Sequence, residues 1–284
     1  MTTEDSIDTR IGTVDMPERV DRERYFRELT YLELSALFAG PLKPSLLAKW
    51  AEVAPKGTLG LVAPWVLTHR KPPKAEKLWT HDATVGDYRD SELGRAALVT
   101  FKAAVDLLGA ACAVFLSPPL FAASAANRAT MAKFFGEIAT EEAVGVPRVW
   151  VPDGLWDLRT AIAFGKELGV QVAFDPLVRD PGQPPEVHYD LDVQALYLRV
   201  TGGGRTGAIR SERMDDIVGL LEAYEDIPAT IAFNPPRAGP MLATSRKRSR
   251  GRSIRRRARL RAQSIRRRTS RSGSAARRPS SASR

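Results

Sequence analysis

Two rhythms of apolar residues take turns along this chain. Short runs rich in Val, Leu, Ile and aromatics, bounded by Gly or Pro, mark strands at 10–14, 30–34, 59–64, 111–117, 148–152, 170–175, 195–201 and 229–233. Between them apolar positions recur with a helical period over 18–28, 44–53, 91–108, 125–142, 155–168 and 212–224. Gly109, Gly145 and Gly169 follow three of these helices, where left-handed caps are expected to end them. Strands alternating with helices argue for parallel pairing, because a parallel connection needs a crossover. Eight of them predict a (β/α)8 TIM-type barrel whose polar mouth lies at the C-terminal ends of the strands.

Alternate residues of a barrel strand face the helices or the interior. In the sixth strand Val170, Val172 and Phe174 take the helix side, which leaves Gln171, Ala173 and Asp175 inside. In the seventh, Leu196, Leu198 and Val200 point outward while Tyr197, Arg199 and Thr201 point inward. The same count puts Glu33 inside between Leu32 and Leu34, and Thr230 and Ala232 inside ahead of Asn234. Glu33, Asp175, Arg199 and Asn234 are therefore expected to converge. An unpaired charge there costs several kcal/mol, so Arg199 is expected to bridge one or both carboxylates. The cluster is either a reaction site or an interior salt bridge that only fixes packing.

Other features border the mouth. The segment TGGGRTG after the seventh strand, with Gly202, Gly203, Gly204 and Arg205, has the makings of an anion-binding loop or of an ordinary flexible turn. His69 follows the third strand within expected reach of Glu33, as a general base, a metal ligand or a hydrogen-bonded cap. His81 and His188 show no ligand spacing to it, so no dedicated metal site is expected, and no cofactor is indicated. Residues 70–90 make a long connection with Pro72, Pro73, Trp79 and Tyr88, either a lid or a packed surface loop. Trp156 is expected in the core. Nucleotide-binding glycine fingerprints and nucleophile elbows are missing.

Composition alters the picture at one end. The formal charge of +10 misleads, because residues 246–284 hold 17 of the 43 Lys and Arg and none of the 33 acids. Residues 1–245 thus carry 26 bases against 33 acids, a net of −7. A single cysteine, Cys112, rules out an internal disulfide framework and fits a reducing compartment. The N-terminus lacks the order of a signal peptide, and the longest apolar run, 107–116, is far short of the ~20 residues of a membrane span. A soluble cytoplasmic protein of unassigned oligomeric state is expected. Its parts are an unstructured 1–9, a barrel at 10–244 and a disordered Arg/Ser-rich tail at 245–284.

The order of several segments resembles the YecE-like family, known as domain of unknown function 72. The matching pieces are IGT at 11–13, YFRELTYLEL at 25–34 with its Glu33, the spacing of Phe38, Pro41, Trp50 and Pro55, and LTH ending at His69. Further on come FLSPPLF at 115–121, the Asp175–Pro176 pair, YLR ending at Arg199 and AFN ending at Asn234. The resemblance implies a barrel of uncharacterised activity across most of residues 10–240. Departures are as informative. The family's Gly- and Trp-rich first loop is missing, the lysine of its third strand falls at Val62 and the glutamine before its paired prolines at Leu116. The Glu and Arg of its fifth strand fall near Trp150 and Pro152, and its histidine after strand seven at Thr201. The chain reads as a divergent branch that binds another ligand or has lost activity.

The tail admits two readings. Clustered arginine neutralises phosphate and gives salt-dependent, sequence-independent nucleic-acid binding. Alternatively, a barrel needs an eighth helix after Asn234, where PPRAGP begins unsuitably. One choice of codons for 240–249, read from the third base, encodes Asp-Ala-Arg-Asn-Leu-Lys-Lys-Ala-Leu, an amphipathic helix. On that reading the tail is a frameshift product.

Three functions follow. The preferred one is an enzyme acting on a small polar, phosphorylated or sugar-like substrate, with Glu33 or Asp175 as general base and Arg199 holding an anionic group. The second is a non-catalytic binding or scaffold barrel. The third is a nucleic-acid binder acting only through the tail, with no membrane partner in any case.

Overall fold

A computed structural model describes residues 8–17, 20–153, 155–178, 187–202 and 209–234. Eight parallel strands close into a barrel in chain order, and the eighth pairs back onto the first. They are β1 (Thr9–Val14), β2 (Tyr31–Leu34), β3 (Leu59–Val62), β4 (Cys112–Leu116), β5 (Arg148–Val151), β6 (Gln171–Phe174), β7 (Leu196–Thr201) and β8 (Ala229–Asn234). The first opens one residue earlier than the sequence pattern suggests. The tail at 245–284 and the N-terminus up to residue 7 lie outside the described residues, and 8–9 are the lead-in and start of β1.

The crossovers are α1 (Arg22–Glu28), α2 (Ala36–Ala39), α3 (Pro44–Ala51), α4 (Trp65–Thr68), α5 (Glu92–Leu108), α6 (Ala125–Lys133), α7 (Glu141–Val144), α8 (Leu158–Glu167) and α9 (Ser211–Ala223). The longest shows why such segments are helical. In α5 the Ser91 hydroxyl accepts from the Gly94 N–H, Gly109 closes the last turn at φ 55°, and Ala97, Leu98, Phe101, Ala104, Val105 and Leu108 form one buried face. Burying each large member contributes about 1.5–3 kcal/mol. Gly145 and Gly169 take the same left-handed conformation, at φ 88° and 63°.

The apolar residues divide into two layers by the two-residue alternation. Leu32, Leu34, Val170, Val172, Phe174, Leu196, Leu198 and Val200 pack outward beneath the helices. Val14, Tyr31, Val62, Cys112, Val114, Val149, Ala173, Tyr197 and Ala232 fill the interior and come from all eight strands. The expected facing of the second, sixth, seventh and eighth strands is thus met.

The helix expected over 125–142 is broken. After α6 the backbone widens into a π-helical turn, Phe134–Ile138, in which the Ala139 N–H reaches Phe134 O at 2.7 Å, and Thr140 caps a new helix, α7. Arg148, buried at the start of β5, explains what the break achieves. Its guanidinium donates to Phe135 O at 2.7 Å, Ala139 O at 3.0 Å and Gly169 O at 3.1 Å. It thereby satisfies carbonyls left over at the ends of two helical segments. Arg148→Met is expected to keep the volume, strand three buried acceptors and cost about 3 kcal/mol in urea unfolding.

Candidate functional site at the C-terminal mouth

Glu33 and Arg199 stand on strands separated by β8 and β1, and they meet across the interior. Ala232 lies opposite Arg199 on β8 and Gly12 opposite Ala232 on β1, so little bulk intervenes. Arg199 Nε donates to Glu33 Oε1 at 3.0 Å. The Tyr197 hydroxyl donates to Glu33 Oε2 at 2.8 Å. Both carboxylate oxygens are engaged, and the Glu33 side chain is 0% exposed while Arg199 retains 19%. Beneath Arg199 the next inward residue, Tyr197, is buried, so solvent reaches the guanidinium from the mouth.

Two further contacts extend this pair into a column. The Tyr31 and Tyr197 hydroxyls are 2.8 Å apart, and Tyr31 Oη is 3.4 Å from Cys112 Sγ. A carboxylate paired with a guanidinium only accepts, and each hydroxyl has one hydrogen. Tyr197 spends its hydrogen on Glu33, so Tyr31 donates to Tyr197 and the Cys112 thiol to Tyr31. Burial pushes both phenols well above 10 and the thiol up to about 12, which keeps all three hydrogens in place. The column therefore holds Glu33 rigidly and, through it, Arg199.

Asp175 does not join the pair as expected. Its Oδ1 accepts from the Leu177 N–H at 2.9 Å and its Oδ2 from the Thr201 N–H at 2.7 Å, tying the ends of β6 and β7 together. Burial raises its pKa, opposed by those N–H groups and by the charge of Arg213. Arg199 thus bridges one carboxylate, Glu33, and backbone amides take the other, Asp175. Asn234 ends β8 opposite Thr201, half-buried at the rim. Gly202 follows β7 at the same rim, whereas Gly203, Gly204 and Arg205 lie outside the described residues.

His69 caps α4 just beyond β3. Its Nδ1 is 2.8 Å from the Thr68 hydroxyl and its ring meets Phe38 edge-on at 5.1 Å. Burial lowers its pKa, and the carboxylates that oppose this are Asp87 and Asp153 rather than Glu33. Asp153, just past β5, went unnoticed in the sequence. The signal available was its place two residues beyond a strand end, in VPD. Another residue missed is Asp15 after β1, whose carboxylate takes both the Ser35 N–H and hydroxyl and so joins the ends of β1 and β2.

The long connection 70–90 is packed down at Trp79 and again from Val85 to Tyr88, with 80–84 exposed between them. Trp79 Nε1 donates to Leu37 O at 2.8 Å, and Val85 and Tyr88 are 1% exposed. Gly86, Asp87 and Tyr88 all have left-handed backbones, at φ 85°, 53° and 57°, which costs about 1–3 kcal/mol for each non-glycine residue. Their N–H groups are taken by Val66 O, Thr68 O and Leu67 O, while Arg89 donates to Ala83 O, Val85 O and Gly86 O. Trp156 packs in the core, its ring stacked on Phe164 at 5.5 Å. Among the described residues no group of three His, Cys, Asp or Glu side chains is arranged to hold a metal, and no helix is long and apolar enough to cross a membrane.

A closed parallel barrel is the architecture in which characterised barrel enzymes place their active sites at the C-terminal ends of the strands. The chain is similar in fold to a DUF72 family protein of Enterococcus faecalis, with a TM-score of 0.58 and 12% identity over 84% of this chain and 94% of that one. It is similar also to a DUF72 family protein of Thermotoga maritima, with a TM-score of 0.51 and 15% identity over 80% and 92%. At such identities the likeness is one of fold. No protein-family model matches the sequence, and no curated protein matches it.

Proposed function

We propose that the chain is a divergent YecE-like barrel that binds a small polar, anionic ligand at its C-terminal mouth, with Arg199 as the recognising group. The ordered segments from Ile11 to Asn234 and the shared fold support the family reading. The observation that carries the ligand reading is Arg199, whose side chain is 19% exposed and whose guanidinium is fixed through Nε by a fully buried carboxylate. A guanidinium held by one edge keeps a rigid fork for carboxylate or phosphate, which a lysine does not reproduce. With Glu33 and Asp175 both occupied, binding is better supported than a reaction that uses either as a base. Calorimetric titration with glycerol phosphate tests this. Arg199→Lys keeps the charge beside Glu33 and is expected to weaken binding by about tenfold or more with little change in melting temperature. Unchanged binding in that variant, or no binding by the native protein, would count against the proposal.

The state of His69 favours a second reading, proton transfer at the same mouth. Its lowered pKa leaves a neutral imidazole at pH 7, able to accept a proton. Its stabilising contribution is complete above the ordinary histidine value and drains as pH falls through the lowered one. Turnover would follow that same limb, and His69→Asn would abolish it while leaving binding intact.

A further inference from the structure

The opposite end of the barrel carries a cavity of about 170 Å3 where the strands begin. Arg10, Gln171 and Thr230, at the first inward positions of β1, β6 and β8, line it together with Cys112, Tyr31 and Tyr197. Ala111, Pro147, Ala195 and Pro228 supply apolar walls. The tyrosines are at most 1% exposed, so what an entering molecule touches is the polar trio, the sulfur edge and the walls. Arg10 borders the same cavity as Cys112, with its side chain 36% exposed. Its Nε is held by Asp8 Oδ2 at 2.8 Å.

We propose that this cavity is a second binding site, for a short aliphatic carboxylate whose head meets Arg10, Gln171 and Thr230 and whose tail lies against the apolar walls. Three donors converge here, one of them cationic. A carboxylate offers the matching acceptors to a guanidinium fork, and Gln171 and Thr230 can add one hydrogen bond each. Size sets the tail. A dry cavity of roughly 150 Å3 accommodates a six-carbon ring, so about six heavy atoms fit here, the size of butyrate. Asp8 opposes an anion at the rim, and its side chain is 65% exposed, so solvent screens it without removing the effect.

Titration calorimetry of the full chain at pH 7 with acetate, propionate, butyrate and octanoate tests the site. Affinity is expected to rise to butyrate and to fall at octanoate. Arg10→Met is expected to weaken butyrate by about tenfold or more, Thr230→Val to weaken it less, and Asp8→Asn to tighten it. Arg199→Lys, which reports on the mouth, is expected to leave butyrate unchanged, so the two sites succeed or fail separately. Arg10 and Asp8 are partly exposed, so their replacement is expected to leave the fold intact, which an unchanged melting temperature checks. Affinity that grows through octanoate, equal binding by the Arg10→Met variant, or butyrate density anywhere but among Arg10, Gln171 and Thr230 in a soaked crystal would overturn the proposal.

Discussion

Replacing Arg199 with methionine is expected to lower the unfolding free energy by about 3–5 kcal/mol, and adding Glu33→Met is expected to restore most of the loss. The single change leaves a carboxylate that is 0% exposed without its cation, held by one phenolic hydrogen bond. The double change removes both charges and fills the space with flexible apolar chains. Recovery should stop about 1–2 kcal/mol short, because the Tyr197 hydroxyl then lacks its acceptor and Tyr31 its fixed partner. Urea unfolding of the four proteins of this cycle measures the coupling directly. If the double variant loses about the sum of what the two single variants lose, the coupling is zero, the pair contributes packing alone and the clamped guanidinium ceases to be the organising feature of the mouth.

That pair shows how far the sequence could be read. Alternation placed Glu33 and Arg199 in the interior because the two faces of a barrel strand meet different surroundings, helices outside and other strands' side chains inside. Those surroundings are written in each strand separately. The partner of each charge is not, since it depends on register between strands remote in the chain. Asp175 illustrates the limit: it has the same period and strand-end position as its expected partners, yet two backbone N–H groups reach it first. The hydroxyls of Tyr31 and Tyr197 were hidden by the apolar character of their rings, and only the closed ring of strands brings them into one column. The break after Lys133 was hidden for a similar reason. Its cause, Arg148, lies beyond the segment and holds the turn's carbonyls from β5.

Alanine at Gly12 is expected to prevent accumulation of a soluble barrel, a loss above about 4 kcal/mol, whereas alanine at Gly136 is expected to be neutral or to stabilise by up to about 1 kcal/mol. A Cβ on Gly12 would sit 1.6 Å from the Tyr31 carbonyl oxygen and 2.4 Å from its carbon. Backbone atoms in a paired strand cannot turn aside, so β1 and β2 would have to part. The seam between them already depends on an inserted group. The Tyr25 hydroxyl accepts from the Thr13 N–H at 2.8 Å and donates to Tyr31 O at 2.9 Å, bridging two strands that would otherwise leave those groups unpaired. That hydroxyl would be 3.1 Å from the new methyl group, so relief cannot come from its side. Opening this seam breaks the ring, exposes two strand edges and carries Glu33, on β2, away from Arg199. Gly136 lies in the π-helical turn with nothing within 4 Å of an added Cβ, so only the chain's gain in stiffness is felt there. Soluble yield and melting temperature of the two variants separate the cases. A soluble Gly12→Ala protein melting near the native temperature would mean that the β1–β2 seam tolerates a shift, and with it that the Glu33–Arg199 clamp is less narrowly placed than its distances imply.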